Sequence, residues 1–418
     1  MSNRKSADID VAVIGGGPAG LSAAVELKRL GIARVIVLER EAEAGGIPRH
    51  CGHPPFGMRE FRRILTGPQY AKRLVLCARK AGVEIRTSTT VVEARRGANL
   101  LLTSDRGVEE MIAKRVIYAT GVREMPRSAR LIAGARVSGI INTGALQSMV
   151  YLKDRKPFER PVIIGTELVS FSAIMTCRHA GIKPVAMIEE SGRVTARWPS
   201  GLFAPMVGVP LHLKTRLVAI RGESCVREVE VVDASGNHRT IECDGVILTG
   251  DFIPETALAR CGHLHVDIAS GGLVVDQYGR CSDPTYFATG NILRPVETAG
   301  WSWNEGRRVA QWLAEDLVGK LAEPEAEIQI LNPDPLIKYA MPQKISLPLT
   351  SSGMKNLQLR ITRSLNGTLV AHSEGKPVWQ KKLNSHRERR ILVPIASLVG
   401  NGEAGEITLK IEESNLSR

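Results

Sequence analysis

The feature that most constrains this chain is an apolar strand that runs directly into a glycine-rich turn. Residues 10–14 (DVAVI) have the nearly all-apolar pattern of a buried parallel strand, and residues 15–20 (GGGPAG) follow at once. Gly15, Gly17 and Gly20 match the pattern G-x-G-x-x-G. In this pattern Gly15 permits a tight turn, Gly17 lets the backbone approach a pyrophosphate, and Gly20 lets the next helix pack on the strand.

The residues after the turn extend this pattern. A helix is expected over residues 18–30, with its N-terminal amides and positive dipole end directed at the phosphates. A second apolar strand at residues 34–38 leads into Glu39, 24 positions after Gly15, where an acidic side chain meets ribose hydroxyls. The glycine pattern alone is weak evidence, but strand, turn, helix, strand and acid together predict a dinucleotide site.

A second, altered copy of this arrangement follows later in the chain. Residues 160–165 (RPVIIG) predict a buried strand, and residues 185–189 predict the second strand of another βαβ unit. Only the first glycine is kept, because Glu167 and Ser170 replace the other two. A carboxylate at position 167 adds bulk and negative charge against a diphosphate, so the sequence does not favour NAD(P) binding there. We expect a Rossmann-shaped domain that is kept for its packing.

Further segments carry a resemblance to a known superfamily. They are Arg40 with the Gly45-Gly46 pair, residues 116–121 (VIYATG) and residues 285–291 (TYFATGN). Together with the first turn, they resemble the glutathione-reductase and thioredoxin-reductase superfamily of FAD/NAD(P)-dependent oxidoreductases with two dinucleotide-binding domains. The resemblance implies FAD at the first turn, held by Gly15, Gly17, Pro18, Ala19, Gly20, Glu39, Arg40, Gly46, Ile47, Val92, Ala119, Thr120, Gly121, Gly290, Asn291, Thr298 and Ala299.

One of these positions departs from the superfamily pattern. Asn291 stands where the superfamily has an aspartate that contacts the flavin ribitol. The amide oxygen of Asn291 is expected to accept a hydrogen bond from a ribitol hydroxyl, but the amide carries no charge and also offers donors. The segment 297–317 predicts a helix whose start points at the electron-rich edge of the isoalloxazine ring.

The same resemblance implies an α/β fold with two Rossmann-like (glutathione-reductase-like) nucleotide-binding domains, the first of them discontinuous. Residues 244–254 (DGVILTGDFIP) resemble the strand that returns the chain to the first domain. We expect an FAD-binding domain at 1–150 and 270–330, and an NAD(P)-binding-like domain with a degenerate motif at 151–269. After a proline-bearing linker, short alternating runs predict a C-terminal all-β module at 336–418.

Composition limits the partners and the location. The chain has a formal charge of +13, but only 4% of its residues are aromatic, so a base-stacking surface for nucleic acid is not expected. Its seven cysteines are never spaced as C-x-x-C, which argues against a disulfide framework and against the redox dithiol of a disulfide reductase. We find no cleavable signal pattern and no apolar run of transmembrane length, so the sequence predicts a cytoplasmic protein.

The segment 45–53 (GGIPRHCGH) is the richest polar stretch near the expected flavin. His50, Cys51 and His53 lie within four residues and lack an identifiable fourth ligand, which is a poor pattern for a closed metal site, so no metal is expected. Two alternatives stay open for this segment. Either Arg49 or His53 shapes the flavin environment, or the loop packs against the cofactor or a partner chain.

Residues 45–70, the turn at residues 165–167 (GTE) and residues 288–291 (ATGN) together resemble a bacterial subgroup, the flavoprotein subunits of heteromeric, dye-linked dehydrogenases. The resemblance covers residues 8–320 and extends to the opine oxidase alpha subunit, hydrogen cyanide synthase and the companion subunits of anaerobic glycerol-3-phosphate dehydrogenase. It implies a hetero-oligomer in which a second dehydrogenase subunit oxidises a small amine, amino acid or alcohol, and this subunit relays the electrons through FAD.

Two other functions remain as alternatives. One is a self-sufficient NAD(P)H-dependent flavin reductase or dehydrogenase, with NADH bound unusually through Glu189. The other is a non-catalytic assembly subunit that holds an adenine nucleotide. No acid and base pair can be placed on one site by spacing, so the sequence assigns no catalytic residue.

Overall fold

The structure is a computed structural model that describes residues 9–399 and 405–413. The first elements, in chain order, are β1 (Ile9–Ile14), α1 (Pro18–Arg29), β2 (Val35–Leu38), α2 (Met58–Phe61), α3 (Gly67–Lys80), β3 (Glu84–Arg86), β4 (Thr90–Arg95), β5 (Asn99–Ser104), β6 (Gly107–Tyr118), β7 (Val122–Glu124), β8 (Ala133–Gly134), β9 (Ile140–Asn142) and α4 (Thr143–Lys153). They are followed by β10 (Pro161–Ile164), α5 (Leu168–His179), β11 (Ala186–Ile188), α6 (Phe203–Met206), β12 (Leu211–His212), β13 (Thr215–Gly222), β14 (Val226–Asp233), β15 (His238–Glu242), β16 (Gly245–Leu248), β17 (Phe252–Pro254) and α7 (Ala257–Arg260).

The last elements are β18 (Tyr286–Ala288), α8 (Ala299–Leu317), β19 (Ala326–Leu331), β20 (Ile337–Met341), β21 (Lys344–Leu347), β22 (Asn356–Ile361), β23 (Leu365–Ser373), β24 (Lys376–Ser385), β25 (Ile391–Pro394) and β26 (Gly405–Glu413). Short 3-10 helices lie at Ile47–His50, Arg127–Arg130, Ser200–Leu202, Gly290–Ile292 and Ile395–Ser397. Within the described ranges, no helix is long and apolar enough to cross a membrane.

The chain divides into two compact units. The first comprises the described residues within Met1–Gly46, Ala71–Val122 and Ile253–Arg418, and the second comprises Ile47–Tyr70 and Arg123–Phe252. The domain bounds expected from the sequence remain a prediction.

A seven-stranded sheet forms the core of the first unit, in the order β3-β2-β1-β6-β5-β4, with β18 also paired to β6. The strands β3, β2, β1, β6 and β18 run parallel, and the apolar residues of β1 and β2 are buried on both faces, as a covered parallel sheet requires. Gly306 brings α8 against α1, because a Cβ at this position would overlap the Ala19 carbonyl oxygen. This sheet carries the Gly15 turn at the end of β1.

The second unit repeats the parallel core and adds a mixed sheet, in which β13, β14 and β15 are antiparallel and β8 pairs parallel to β13. Its main sheet has the order β12-β11-β10-β16-β9, and all its pairings are parallel. The second sheet has the order β15-β14-β13-β8. The Gly165 turn follows β10 as the Gly15 turn follows β1, so each unit presents one strand–turn–helix at the carboxyl edge of a parallel sheet.

The C-terminal strands build two sheets within the first unit, in the orders β21-β19-β26-β23-β24 and β20-β22-β25. Their buried side chains form one apolar core that includes Leu357, Leu369 and Leu409. The two parallel cores and this β module confirm the predicted fold class. The runs that predict the module lie at residues 344–349, 357–362, 368–371, 390–394 and 406–411. They miss β20 and β24 within the module, and β19 lies before its predicted start. For β24 the reason is physical, because most of its side chains are exposed and polar, which leaves no alternating apolar signal.

Candidate functional site

The Gly15 turn has the backbone geometry that its sequence predicts. Gly15 has φ +107°, and a Cβ there would lie 2.5 Å from the carbonyl oxygen of Ala119. A Cβ on Gly20 would overlap the carbonyl oxygen of Gly15, so the close approach of α1 to the turn requires glycine. At Gly17, in contrast, the nearest atom to a Cβ is the Gly46 Cα at 3.9 Å. The turn is therefore tight at its first and last glycines and open at the middle one.

The start of α1 is free of side-chain capping. Gly17 is the N-cap residue, with extended backbone (φ −83°, ψ −173°) and no side-chain hydrogen bond to the first turn of the helix. Pro18 takes the first helical position, where a missing N–H is tolerated, and Ala19 and Gly20 are buried. The first-turn amides and the positive end of the helix dipole thus meet no acidic side chain of this helix, which suits a pyrophosphate.

Glu39 is held in place beside this turn. Its Oε2 accepts a hydrogen bond from the Gly16 amide at 2.8 Å, and its Oε1 accepts one from the Glu41 amide at 3.0 Å. The side chain is only 7% exposed. Because each carboxylate oxygen can accept more than one hydrogen bond, Glu39 keeps acceptor capacity for ribose hydroxyls. Arg40, next to it, directs an exposed side chain to Glu41, with Arg40 Nε 3.9 Å from Glu41 Oε1.

The Ala119–Thr120–Gly121 segment closes one side of the turn. The Ala119 amide donates to the Ile14 carbonyl at 2.9 Å, which continues the pairing of β6 with β1. Thr120 Oγ1 donates to the Glu255 carbonyl at 2.8 Å, and Gly121 has φ +73°. Ala119 and the Cα of Thr120 thus lie beside Gly15.

The segment after β18 reaches the other side of the same turn. Gly290 has φ +79°, and a Cβ there would lie 2.7 Å from the Ala19 Cβ. Thr298 is the N-cap of α8 and Ala299 is its first residue, so the predicted helix start lies on this segment. Gly290 also donates its amide to Glu305 Oε2 at 2.9 Å.

Asn291 uses its side-chain amide inside the protein. Its Oδ1 accepts from the Glu297 amide at 2.8 Å, and its Nδ2 donates to the Glu297 carbonyl at 3.0 Å. An aspartate would make only the first of these bonds, because a carboxylate has no N–H. The side-chain amide of Asn291 therefore stabilises the conformation of the segment 291–297. Its contact with a ribitol hydroxyl stays a prediction.

Sequence reasoning missed the groups that hold this segment from the C-terminal module. Arg360 Nη2 donates to Glu297 Oε1 at 3.0 Å and to the Val296 carbonyl at 2.6 Å. Arg390 pairs with the same Glu297 carboxylate and lies over the Trp301 ring, 4.0 Å from its centroid. No local pattern signals these contacts, because they join residues 63 and 93 positions apart.

Two predicted contact residues are not placed at the turn by any of these contacts. Val92 lies in β4 with 41% of its surface exposed. Ile47 begins a 3-10 helix that belongs to the second unit. Their part in cofactor binding stays a prediction.

The Gly165 turn of the second unit is filled by its own side chains. Glu167 is the N-cap of α5, the position that Gly17 holds on α1. Its Oε2 lies 3.4 Å from Thr249 Oγ1, and a Cβ on Gly250 would overlap the same carboxylate. Ser170, in the place of the third glycine, is buried and hydrogen-bonded to Thr249 Oγ1 at 2.6 Å. A carboxylate thus lies over the turn where a diphosphate would bind.

A loop also crosses this second turn. The Ala196 amide donates to the Thr166 carbonyl at 2.9 Å, and the Thr195 amide donates to Thr166 Oγ1 at 2.9 Å. Thr166 Oγ1 in turn donates to Glu189, whose other carboxylate oxygen accepts from the Ser191 amide at 2.9 Å. The acid expected to meet a ribose is therefore buried under protein groups.

The segment around Cys51 lies in the second unit. No group of metal-ligating side chains is found among the residues with described positions. His53 Nδ1 lies 2.9 Å from the Pro54 carbonyl oxygen. Burial, with the negative charge of Glu124 adding to it, raises the pKa of the Cys51 thiol to about 12. Cys51 is thus a protonated thiol near neutral pH and a poor nucleophile.

Comparison with curated proteins gives remote relatives. An opine oxidase subunit of Agrobacterium tumefaciens is 27% identical over 60% of this chain and 54% of its own length. "Probable ferredoxin reductase CtmF" of Castellaniella defragrans is 25% identical, over 68% of each chain. The chain thus spans about half the length of the opine oxidase protein.

Solved structures show the same fold. Thioredoxin reductase of T. acidophilum matches 74% of this chain and 98% of its own with a TM-score of 0.63 and 24% identity. L-proline dehydrogenase of P. horikoshii matches 75% of this chain and 58% of its own, with a TM-score of 0.57 and 19% identity.

The family described as Pyridine nucleotide-disulphide oxidoreductase matches residues 9–310. This range contains both glycine turns, the Ala119–Gly121 segment and the start of α8. FAD is the cofactor of this family, and the open, uncapped turn at Gly17 with the buried Glu39 beside it fits the diphosphate and ribose of FAD. The chain belongs to the pyridine nucleotide-disulphide oxidoreductase family, whose members are FAD-dependent oxidoreductases.

Proposed function

We propose that the chain is the electron-relaying flavoprotein subunit of a heteromeric dehydrogenase whose partner subunit oxidises a small amine, amino acid or alcohol. The observation that carries this proposal is the contrast between the two turns. The first is open at Gly17, and the second is filled by Glu167 and crossed by Thr195 and Ala196. The proposal places the protein in the cytoplasm. This compartment is reducing, which agrees with the seven cysteines, because all of them are free thiols.

FAD is assigned to the first turn. The amides at the start of α1, beside Gly17, bind the diphosphate, and Glu39 accepts hydrogen bonds from the ribose hydroxyls. The segment from Gly290 to Ala299 lies against the same turn and supplies a helix start. Bound FAD supplies hydride and one-electron chemistry, and these residues hold and orient it.

The source of electrons follows from the second turn. A diphosphate at Glu167 meets a carboxylate instead of free helix amides, and such a like-charge contact disfavours binding. Because NADH is then a poor donor, we assign reduction of the flavin to a partner protein. The opine oxidase relative is named as one subunit of its enzyme, which supports a heteromeric assembly for this chain as well.

An exposed apolar segment of the second unit supports a protein partner. Trp198 is 85% exposed and Met206 is 79% exposed, with Leu202 between them in the chain at 54%. Large apolar side chains with this exposure, close together, mark interaction surfaces. We assign this segment to contact with the partner dehydrogenase.

The test uses the tagged chain, isolated from its own cells together with the bound partner. The complex should transfer electrons from an amine, amino acid or alcohol to a dye, and the chain alone should not. Trp198→Ser should release the partner and keep FAD. Leu131→Ser is the matched control, because Leu131 is 89% exposed elsewhere in the same unit and its change should leave the complex intact. Dye reduction by the separated chain at the rate of the complex would refute the relay.

A second candidate function is favoured by the names of other relatives. "Nitric oxide reductase FlRd-NAD(+) reductase" of Salmonella paratyphi A is 26% identical over 52% of this chain and 56% of its own length. A self-sufficient NAD(P)H-dependent reductase would oxidise NADH in steady state with a dye as acceptor and no partner present. The proposed relay protein would not.

A further inference from the structure

Buried polar side chains of the second unit lie together at the start of α4. Thr143 and Gln147 are four residues apart on α4, so they share one face of the helix. Glu124 Oε2 accepts a hydrogen bond from the Gly144 amide at 2.7 Å. Cys51 Sγ donates to Gln147 Oε1 at 3.4 Å, which places the thiol on the same face.

Three atoms in this group lack a hydrogen-bond partner among the residues that the structure describes, and they are Thr143 Oγ1, Glu124 Oε1 and Gln147 Nε2. Glu124 is 8% exposed and its Oε1 accepts and donates no hydrogen bond. Gln147 is 2% exposed and its Nε2 donates none. An unsatisfied buried polar group costs about 1–3 kcal/mol, so such groups normally bind a ligand or an ordered water. Both side chains lie at the first turns of α4, where helix amides add a positive field.

We propose that Glu124 and Gln147 form a binding site for a small monocarboxylate at the N-terminus of α4. One carboxylate oxygen accepts a hydrogen bond from Gln147 Nε2, and the other accepts one from the Oε1 hydroxyl of Glu124. This site is independent of the electron relay proposed above. It assigns a ligand to a part of the chain outside the two glycine turns.

The charges around Glu124 suit this arrangement. Burial raises the pKa of Glu124, against the opposing effects of the Gly144 amide, the neighbouring Thr143 and the charge of Arg130. A raised pKa favours the protonated form of Glu124, which is the form that donates a hydrogen bond to an anion. Arg130 carries positive charge near Glu124 and is itself paired with Asp251, with Arg130 Nη1 3.1 Å from Asp251 Oδ2.

The other groups that face Glu124 are Cys51 and His50. Cys51 stays a neutral thiol because its pKa is about 12. His50 Cε1 lies 4.0 Å from the place of a Cβ on Gly144, so the imidazole is a neighbour of the same helix start. Because the ligand needs protonated Glu124, its binding takes up a proton at pH values where Glu124 is ionised in the free protein.

The experiment is calorimetric titration of the full-length protein with acetate, in buffers of different ionisation enthalpy. We expect acetate to bind with proton uptake, and neutral acetamide to bind at least ~10-fold more weakly. Glu124→Gln should keep acetate binding, since the amide N–H replaces the carboxyl O–H, and should abolish proton uptake. Gln147→Leu should weaken acetate binding at least ~10-fold. Gln329→Leu, a matched change on the exposed side of β19, should change nothing.

Three results would overturn the site. They are no acetate binding to the wild type, equal binding to a well-folded Gln147→Leu variant, or proton uptake that persists in Glu124→Gln. A crystal grown in acetate with only a water between Glu124 and Gln147 would also refute it. If the thermal midpoint of Gln147→Leu is much lower than that of the wild type, the Glu124→Gln variant alone tests the proposed site, because this change preserves the shape of the side chain.

Discussion

Gly17 and Glu167 are equivalent residues, each the N-cap of the helix that follows the central strand of a parallel sheet. At Gly17 the nearest atom to a Cβ lies 3.9 Å away, whereas the Glu167 carboxylate lies 3.4 Å from Thr249 Oγ1 and occupies the space over the turn. The same fold is thus built twice, once with room for a diphosphate and once with a negative charge in that room.

This relationship predicts that Gly17→Glu removes FAD. The new carboxylate adds bulk and a negative charge where the diphosphate meets the amides of α1. We expect the purified variant to carry less than about a tenth of the wild-type FAD, because a contact of this kind is worth about 1.4 kcal/mol or more. The measurement is flavin absorbance per chain, with circular dichroism to show that the fold persists. A variant that keeps full flavin content would contradict the assignment.

Glu167→Gly provides the matched change at the second turn. It should leave FAD content unchanged, since Glu167 belongs to the other glycine turn. It should also fail to create tight NADH binding, because Thr195 and Ala196 still cross the turn and Glu189 stays covered. Fluorescence titration with NADH checks this, and micromolar binding by the single variant would show that the loop is no obstacle.

Glu26 gives a prediction about pH. It is buried between α1 and α8, and burial raises its pKa, but hydrogen bonds from Arg29, Gln311 and Arg307 outweigh burial and lower the pKa to about 2. A lowered carboxyl pKa stabilises the fold above the ordinary value of 4.5 and loses this effect as the pH falls toward about 2.

Glu26→Gln should therefore destabilise the first unit by roughly 2 kcal/mol near neutral pH. The difference in free energy of unfolding between variant and wild type should become smaller as the pH is lowered below about 4.5. Urea unfolding at a series of pH values measures both effects. Glu84→Gln is the control, because Glu84 is half exposed in its pair with Arg86 and its loss should cost less than about 1 kcal/mol. If the difference in free energy of unfolding between the Glu26→Gln variant and the wild type did not change with pH, Glu26 would not be charged in the folded protein.

Arg360 links the C-terminal module to the start of α8. Arg360→Met leaves Glu297 and Glu388 buried with one cationic partner fewer, and breaking a buried ion pair costs about 3–5 kcal/mol. We expect a lower thermal midpoint and faster FAD loss on dilution, because the segment 291–297 loses its anchor. Arg363→Met is the control, since Arg363 is 57% exposed and pairs with Glu413 at the surface. If Arg360→Met and Arg363→Met changed the thermal midpoint and the rate of FAD loss equally, Arg360 would not anchor the segment 291–297.

The sequence predicts those parts of the site that depend on local constraint. The Gly15 turn was predictable because its glycines are required by contacts within one strand–turn–helix unit. Glu167 was predicted to be an obstacle for the same reason. The crossing loop at Thr195 and Ala196, in contrast, is irregular, and hydrogen bonds that join distant residues have no periodic pattern. The pairing of Glu297 with Arg360 and Arg390 is hidden for the same reason.

Burial and contacts in the folded chain also determine features that the sequence pattern does not predict. Cys51 stands in the polar stretch at residues 45–53, yet its side chain is buried and the pKa of its thiol is raised. The strand β24 was missed since its mostly exposed, polar side chains lack an alternating pattern. Asn291 was expected to contact the cofactor. Its two hydrogen bonds to Glu297 depend on the backbone conformation of residues 291–297, which the sequence pattern does not predict.

The most direct test of the central claim is anaerobic addition of NADH to the purified wild-type chain while the visible absorbance of its flavin is followed. We expect an oxidised flavin spectrum at the start, which shows that the chain carries bound flavin, and no bleaching within the turnover time of the complex. Rapid bleaching by NADH would contradict this claim, because the Glu167 turn would then be admitting the nucleotide that its carboxylate is proposed to exclude.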